Sequence, residues 1–132
     1  MCEKKEYEYA IIRFVPQVER GEFVNVGAIL YCRAKRFLAM KYHLDEKRIK
    51  SFFDLEDLSE LMGYLEAWNK ICQGDKQGGV IAGFDLAERF RWLTATRSTT
   101  IQSSKVHPGL CEDPQKVLED LFVKYVFLGQ GI

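Results

Sequence analysis

The sequence predicts an α+β domain in which a small, mainly antiparallel sheet of about four strands has helices packed on one face. Segments with strand-like composition come first along the chain, and segments with helical periodicity follow them. A short link between the second and third strands favours an antiparallel hairpin, because parallel strands need a longer crossover. The 132 residues are expected to form a single domain, 1–132.

Three strands are expected in the first third of the chain. The first covers residues 7–15, which are rich in aromatic and β-branched side chains, and Pro16 ends it. The second covers residues 24–32 and contains Gly27, which indicates a bulge or a close backbone approach. The third covers residues 36–42.

Two helices are expected next, each after an aspartate that can cap it. Asp45 precedes a short helix over residues 46–53, and Asp54 precedes a longer one that runs to about residue 72. Apolar side chains recur at spacings of three and four in the longer helix, which is typical of a face that packs on a core.

Two further helices, and a segment that is either an edge strand or an extended loop, are expected in the second half of the chain. Asp85 and Glu88 have the spacing of a cap and its partner for a helix that ends near Leu93. Asp113 and Pro114 open the last helix, and Gly129 ends it. Residues 97–104 are interpreted as an edge strand or an extended loop. Residues 106–112 are interpreted as a tight turn because they contain Pro108 and Gly109.

The charge balance argues against nucleic acid or an anionic membrane as the partner. Nineteen basic and nineteen acidic residues cancel, so no global field attracts a polyanion. Residues 33–50 nevertheless contain seven Lys or Arg and two Asp or Glu. That local excess is interpreted either as a solvated face or as a basic patch for an anionic partner. The charged start of the chain and the short apolar runs lead us to expect a cytoplasmic protein.

The four cysteines do not have the spacing of a metal site. Cys2, Cys32, Cys72 and Cys111 contain no CxxC pair, so we expect free thiols and no metal or other cofactor. Cys32 and Cys72 occupy apolar positions and are expected to pack as small hydrophobic residues.

Two segments are more polar than a core requires. Residues 88–111 contain Arg89, Arg91, Arg97, Ser98 and His107, and such side chains suit a site for a carboxylate or a phosphate. The alternative is that these arginines pair with the acids of the chain. Residues 20–27 contain Arg20 and Asn25, and an asparagine within a strand is disfavoured. Asn25 could instead satisfy the bulge at Gly27.

His107 and Cys111 are weak candidates for a catalytic pair. A Cys–His nucleophile needs the thiol and the imidazole within hydrogen-bond reach. Cys111 precedes a helix N-terminus, which favours a thiolate, but Glu112 and Asp113 oppose that effect. Structural packing is the preferred interpretation of Cys111, and a turn hydrogen bond is the preferred interpretation of His107.

Several of these segments, in the same order, resemble the bacterial "domain of unknown function 3037" family. They are residues 9–13, 20–27, 88–93, 97–98 and 107–111, followed by Asp113-Pro114. No established activity comes with the resemblance. It implies that some members are encoded beside a kinase-like toxin homologue, which suggests a protein partner.

Two hypotheses for the function follow, and the residues leave open whether the protein is an enzyme. The first is a non-enzymatic interaction or accessory module, whose partner, as the family resemblance implies, would be a kinase-like protein. The second is the binding or hydrolysis of a phosphorylated or nucleotide-like anion. The lining of that site would comprise Arg13, Arg20, Asn25, Arg89, Arg97, Ser98 and His107.

Overall fold

The structure is a computed structural model that describes residues 4–52, 58–97 and 99–127, and it confirms the α+β class. The described strands form one antiparallel sheet, with β3 and the β4–β5 pair at its edges. The strands are β1 (Lys5–Phe14), β2 (Val24–Cys32), β3 (Phe37–Tyr42), β4 (Ile101–Ser103) and β5 (His107–Cys111). Because β4 and β5 both pair with β1, the five strands fill four positions in the order β3-β2-β1-β4/β5.

Three of the four α-helices among the described residues begin directly after the aspartates that were predicted to cap them, whereas the second begins after Leu58, which forms no side-chain cap. The helices are α1 (Glu46–Phe52), α2 (Ser59–Gln73), α3 (Leu86–Thr94) and α4 (Pro114–Phe122), and a π-helical turn (Val123–Phe127) follows α4. The Asp45 carboxylate accepts the Arg48 N–H at 3.1 Å, and the Asp85 carboxylate accepts the Glu88 N–H at 2.8 Å. Asp113 accepts the N–H groups of Gln115 and Lys116. The predicted cap Asp54 and the predicted stop Gly129 lie outside the described residues.

The helices lie on both faces of the sheet, whereas the sequence led us to expect them on one. The side chains of Ile12 and Ile29 pack on one face with α2 and α3. Those of Ile11 and Leu30 pack on the other with Leu118 of α4. The reason lies in β2, where nearly every position is buried rather than every second one. A strand covered on both faces needs a continuous apolar run.

A bulge near Gly27 reverses the alternation of β2. Ile12 pairs with Gly27, but Arg13 pairs with Asn25, so one residue of β2 is extra. A Cβ atom on Gly27 would lie 2.7 Å from the Lys41 carbonyl oxygen, so only glycine fits. The interpretation of Gly27 as a bulge with a close backbone approach is therefore confirmed.

The segment expected to be a tight turn is strand β5. His107–Cys111 pairs with the start of β1, with Tyr9 opposite His107 and Glu8 opposite Pro108. Proline is tolerated there because β5 is an edge strand. Gly109 leaves room for the Tyr7 ring, since a Cβ at that position would lie 2.3 Å from the ring. Pro108 is therefore compatible with an edge strand, and Gly109 is required by the contact with the Tyr7 ring.

Within the described part of the chain, we found no helix that combines the length and the hydrophobicity needed to cross a membrane.

Candidate functional site

Two of the predicted residues, Arg13 and Asn25, meet at the end of the sheet where β1 stops and β2 begins. They are directly opposite in the register of the two strands, just beyond the bulge. Arg13 follows Ile11 by two residues, so both side chains lie on the α4 face. The Asn25 amide nitrogen donates a hydrogen bond to the Tyr125 carbonyl at 3.1 Å. Asn25 therefore fastens the turn after α4 to the sheet.

The Arg13 guanidinium lies over an aromatic ring. Its central carbon is 4.2 Å from the centroid of Phe23, a cation–π contact. The Arg13 Nε atom is buried and has no hydrogen-bond partner among the described residues. Leaving a buried donor without an acceptor costs about 1–3 kcal/mol. This arginine is thus held by its stem and by a ring, and one of its donors remains unsatisfied.

A second exposed ring, that of Phe127, lies at the same end of the sheet, beside the end of β3. The Phe127 ring is 5.2 Å from the His43 ring. The backbone N–H of His43 donates to the backbone carbonyl of Val26 at 2.8 Å. Phe23 and Phe127 are 47% and 46% exposed, which is high for phenylalanine. We call the group formed by Arg13, Phe23, Asn25, His43 and Phe127 the sheet-end surface.

Two other predicted arginines contact residues that are not part of the sheet-end surface. Arg20 pairs with Glu22 at 2.6 Å, and both side chains are more than half exposed. Arg89 is buried and donates through Nη1 to the Ile71 carbonyl at 3.4 Å, near the C-terminus of α2. A cation at that position stabilises the helix dipole. Arg89 therefore has a structural contact within the fold.

Arg97 joins α3 to α2. Its guanidinium lies 4.5 Å from the Trp92 ring and 5.3 Å from the Trp68 ring, and it donates to the Trp92 carbonyl. Burial lowers the pKa of Arg97. The neighbouring candidate Ser98 lies outside the described residues.

His107 and Cys111 do not form a thiol–imidazole pair. They are four residues apart on β5, so their Cα atoms are about 13 Å apart along the strand. The His107 ring is 5.4 Å from the Tyr9 ring, while Cys111 is buried beneath α4. Burial and the nearby Cys32 thiol raise the pKa of Cys111. A raised pKa disfavours the thiolate that a nucleophile requires.

The other described thiols are also buried, as the sequence predicted for Cys32 and Cys72. Burial raises the pKa of Cys72 to about 12, although the Arg89 charge opposes the shift. Among the described residues, no three His, Cys, Asp or Glu side chains lie close enough to hold a metal ion.

The residues of a large cleft at the opposite end of β1 and β2 were not among the predicted site residues. The cleft has a volume of about 1030 Å³ and contains three arginines, Arg33, Arg36 and Arg91. We call it the arginine cleft. Within it, Arg91 Nη2 donates to Glu8 Oε1 at 2.9 Å and Nη1 donates to the second carboxylate oxygen. Only the excess of basic residues over 33–50 could have indicated this site from the sequence.

Comparison with known protein families gives a match over most of the chain. Residues 9–126 match the family described as "Protein of unknown function (DUF3037)". No curated protein and no solved structure was found to match the chain.

Proposed function

The chain belongs to the DUF3037 family of proteins of unknown function, and from this premise we propose that it is a non-enzymatic interaction module that binds a protein partner through the sheet-end surface. We further propose that it acts in the bacterial cytoplasm. A kinase-like protein, the partner suggested by the family resemblance, is the first candidate to test.

One observation carries this proposal: two half-exposed phenylalanines and an arginine with an unsatisfied buried donor lie at the same end of the sheet. Aromatic and arginine side chains are the residues that contribute most to protein–protein affinity. Arg13 is already oriented by Phe23, so a partner would lose little side-chain entropy when it contacts the guanidinium. A carboxylate or carbonyl of the partner near Arg13 would offer acceptors to the guanidinium.

The state of the thiols supports the non-enzymatic part of the proposal. Cys111 is buried, its pKa is raised, and His107 lies too far along β5 to act as its base. We therefore expect Cys111 of the native protein to react with iodoacetamide at neutral pH much more slowly than a free thiol. Mass spectrometry that resolves the labelled site would check this. A rate equal to or above that of a free thiol would favour an activated nucleophile instead.

The proposal is tested by affinity capture from the native host followed by quantitative mass spectrometry. The Phe23→Ser/Phe127→Ser variant removes both exposed rings, and we expect it to lose at least one protein that the wild type captures. Val80→Ser is the matched control, because Val80 is 80% exposed and belongs to a different part of the fold. It should retain that protein.

Identical captured sets for the wild type and the Phe23→Ser/Phe127→Ser variant would contradict the proposal. Loss of the same protein from the Val80→Ser control would contradict it as well, since the effect would then come from general surface hydrophobicity.

The alternative, an anion site lined by Arg13, Asn25, Arg97 and His107, requires those side chains to share a cavity. Arg13 and Asn25 are adjacent, but Arg97 lies against two tryptophans and His107 lies on β5. The observation that favours an anion is the arginine cleft.

A further inference from the structure

We propose that the arginine cleft binds a small-molecule phosphate monoester of about nucleotide size. The cleft lies about 17 Å from Arg13, measured along β1 from Glu8. The proposal is therefore independent of the sheet-end surface and stands or falls without it.

Two of the three arginines in the cleft are available to contact a ligand. Three arginines and three carboxylates line it, and these are Arg33, Arg36, Arg91, Glu6, Glu8 and Asp85. Arg91 is engaged by Glu8, and the Asp85 carboxylate caps α3. Arg33 and Arg36 have no ion pair with any described residue, and both are exposed. These two guanidiniums remain as unpaired cations, and the Glu6 carboxylate remains as an unpaired anion, among the described residues that line the cleft.

The turn between β2 and β3 holds these two arginines together. The Arg36 N–H donates to the Arg33 carbonyl at 3.1 Å, which closes a tight turn. The Cα atoms of the two residues that such a turn joins are less than about 7 Å apart. Both side chains line the same cavity. Two arginines whose Cα atoms are this close can direct both guanidiniums to a single anion.

The Arg36 backbone is unusual for an arginine. Its φ is +50°, in the left-handed region that glycine and asparagine adopt more readily. A residue held there costs of order 1 kcal/mol, and such strain is often found where a side chain serves a ligand. Arg36 is the only non-glycine residue of the described chain with a positive φ.

The charge of the ligand follows from a comparison within the cleft. One guanidinium, that of Arg91, is satisfied by one carboxylate, that of Glu8. The guanidiniums of Arg33 and Arg36 together carry two positive charges. A ligand group with two negative charges therefore matches them better than a ligand carboxylate, which carries one. A phosphate monoester carries a charge of about −1.5 to −2 at neutral pH and has three acceptor oxygens.

The size of the cleft and Glu6 indicate that the phosphate is attached to an organic body. A volume of about 1030 Å³ is at the upper end of small-molecule sites and far exceeds a phosphate group. Leu86, Ala87 and Tyr31 provide apolar lining. Glu6 is exposed and has no ion pair with a described residue, so it can accept hydrogen bonds from hydroxyl or amino groups of the ligand.

Isothermal titration calorimetry at low ionic strength with adenosine monophosphate as the probe tests the proposal. Titrations with adenosine and with inorganic phosphate measure how much the organic body and the phosphate each contribute to the affinity. A titration with a glutamate-rich peptide tests whether the cleft binds an acidic protein segment instead. We expect adenosine monophosphate to bind at least tenfold more tightly than each of the other three.

The Arg33→Gln/Arg36→Asn variant should weaken binding of adenosine monophosphate at least tenfold. Asparagine tolerates the left-handed backbone, so this variant is expected to fold, and its thermal unfolding would verify that. Lys35→Gln is the matched control, because Lys35 is in the same turn but does not line the cleft. It should change the affinity less than twofold.

Absence of adenosine monophosphate binding, equal loss in the Lys35→Gln control, or tighter binding of the peptide would each overturn the proposal. Partner capture by the Phe23→Ser/Phe127→Ser variant reports on the sheet-end surface alone, so failure of one proposal is distinguishable from failure of the other.

Discussion

The two ends of the β1–β2 pair use arginine in opposite settings. At the sheet-end surface, Arg13 lies within a strand, over Phe23, with a buried Nε atom. In the arginine cleft, Arg33 and Arg36 lie on an exposed turn. Burial therefore determines what each arginine is expected to do. A guanidinium with one buried donor beside exposed rings suits a protein surface, whereas two accessible guanidiniums beside a cavity suit a small anion.

The largest expected effect comes from the bulge that places Arg13 opposite Asn25. In Gly27→Ala, the new Cβ would lie 2.7 Å from the Lys41 carbonyl oxygen, and backbone cannot move aside cheaply. We expect the free energy of unfolding to fall by about 2–3 kcal/mol, as measured by urea denaturation. Gly63→Ala is the control, because it meets no atom within 4 Å in α2 and should be neutral or stabilising. Equal stability of both variants would show that the close approach of β3 to Gly27 does not require glycine.

A smaller effect is expected from Gly109 of β5, which lies opposite Tyr7 near the start of β1. In Gly109→Ala, the Cβ would meet the outer atoms of the Tyr7 ring at 2.3 Å. A ring can rotate away more easily than a backbone carbonyl, so we expect a loss of only about 1 kcal/mol. Tyr7→Leu in the same background should recover part of that loss in urea denaturation. A loss as large as that of Gly27→Ala would mean that the Tyr7 ring is immobile.

The Glu8–Arg91 ion pair predicts a still smaller, pH-dependent effect in the arginine cleft. The hydrogen bond from Arg91 holds the pKa of Glu8 below its usual value. A carboxyl with a lowered pKa in the folded state stabilises the protein fully above its unfolded pKa, about 4.3, and loses that contribution as the pH falls through the folded pKa. Since the pair is partly exposed, the contribution is at most about 1 kcal/mol.

Unfolding free energies at neutral pH and near pH 3 would measure this contribution. Glu8→Gln should flatten the pH dependence between those values, while the exposed Glu19→Gln control should retain the wild-type dependence. An unchanged slope in Glu8→Gln would mean that the pair contributes nothing to stability.

Most of the fold was predictable because its signals are local. Asp45, Asp85 and Asp113 cap helices as their positions predicted, and Gly27 forms a bulge. The position of α4 on the second face was missed, although the continuous apolar run of β2 contained that information. Strand β5 was missed because Pro108 and Gly109 suggest a turn unless the Tyr7 ring and the sheet edge are known.

Residues of the candidate site could be predicted only where a polar residue interrupts an apolar segment. Asn25 stands out within an apolar strand, and the structure brings it next to Arg13. Arg33 and Arg36 break no local rule, because charged residues are ordinary in a turn. Their convergence with Arg91 on one cavity depends on the packing of α3 against the sheet, which no short segment of sequence encodes.

The most direct test of the partner surface is the substitution Arg13→Met, which keeps the apolar stem and removes the guanidinium. The lost cation–π contact and the removed unsatisfied donor oppose each other, so we expect the unfolding free energy to change by less than about 1 kcal/mol. The measurement is the dissociation constant of the captured partner with purified proteins. We expect the affinity to weaken at least tenfold while the stability of the protein is preserved. Unchanged affinity together with a large loss of stability would contradict it, because Arg13 would then serve only the fold.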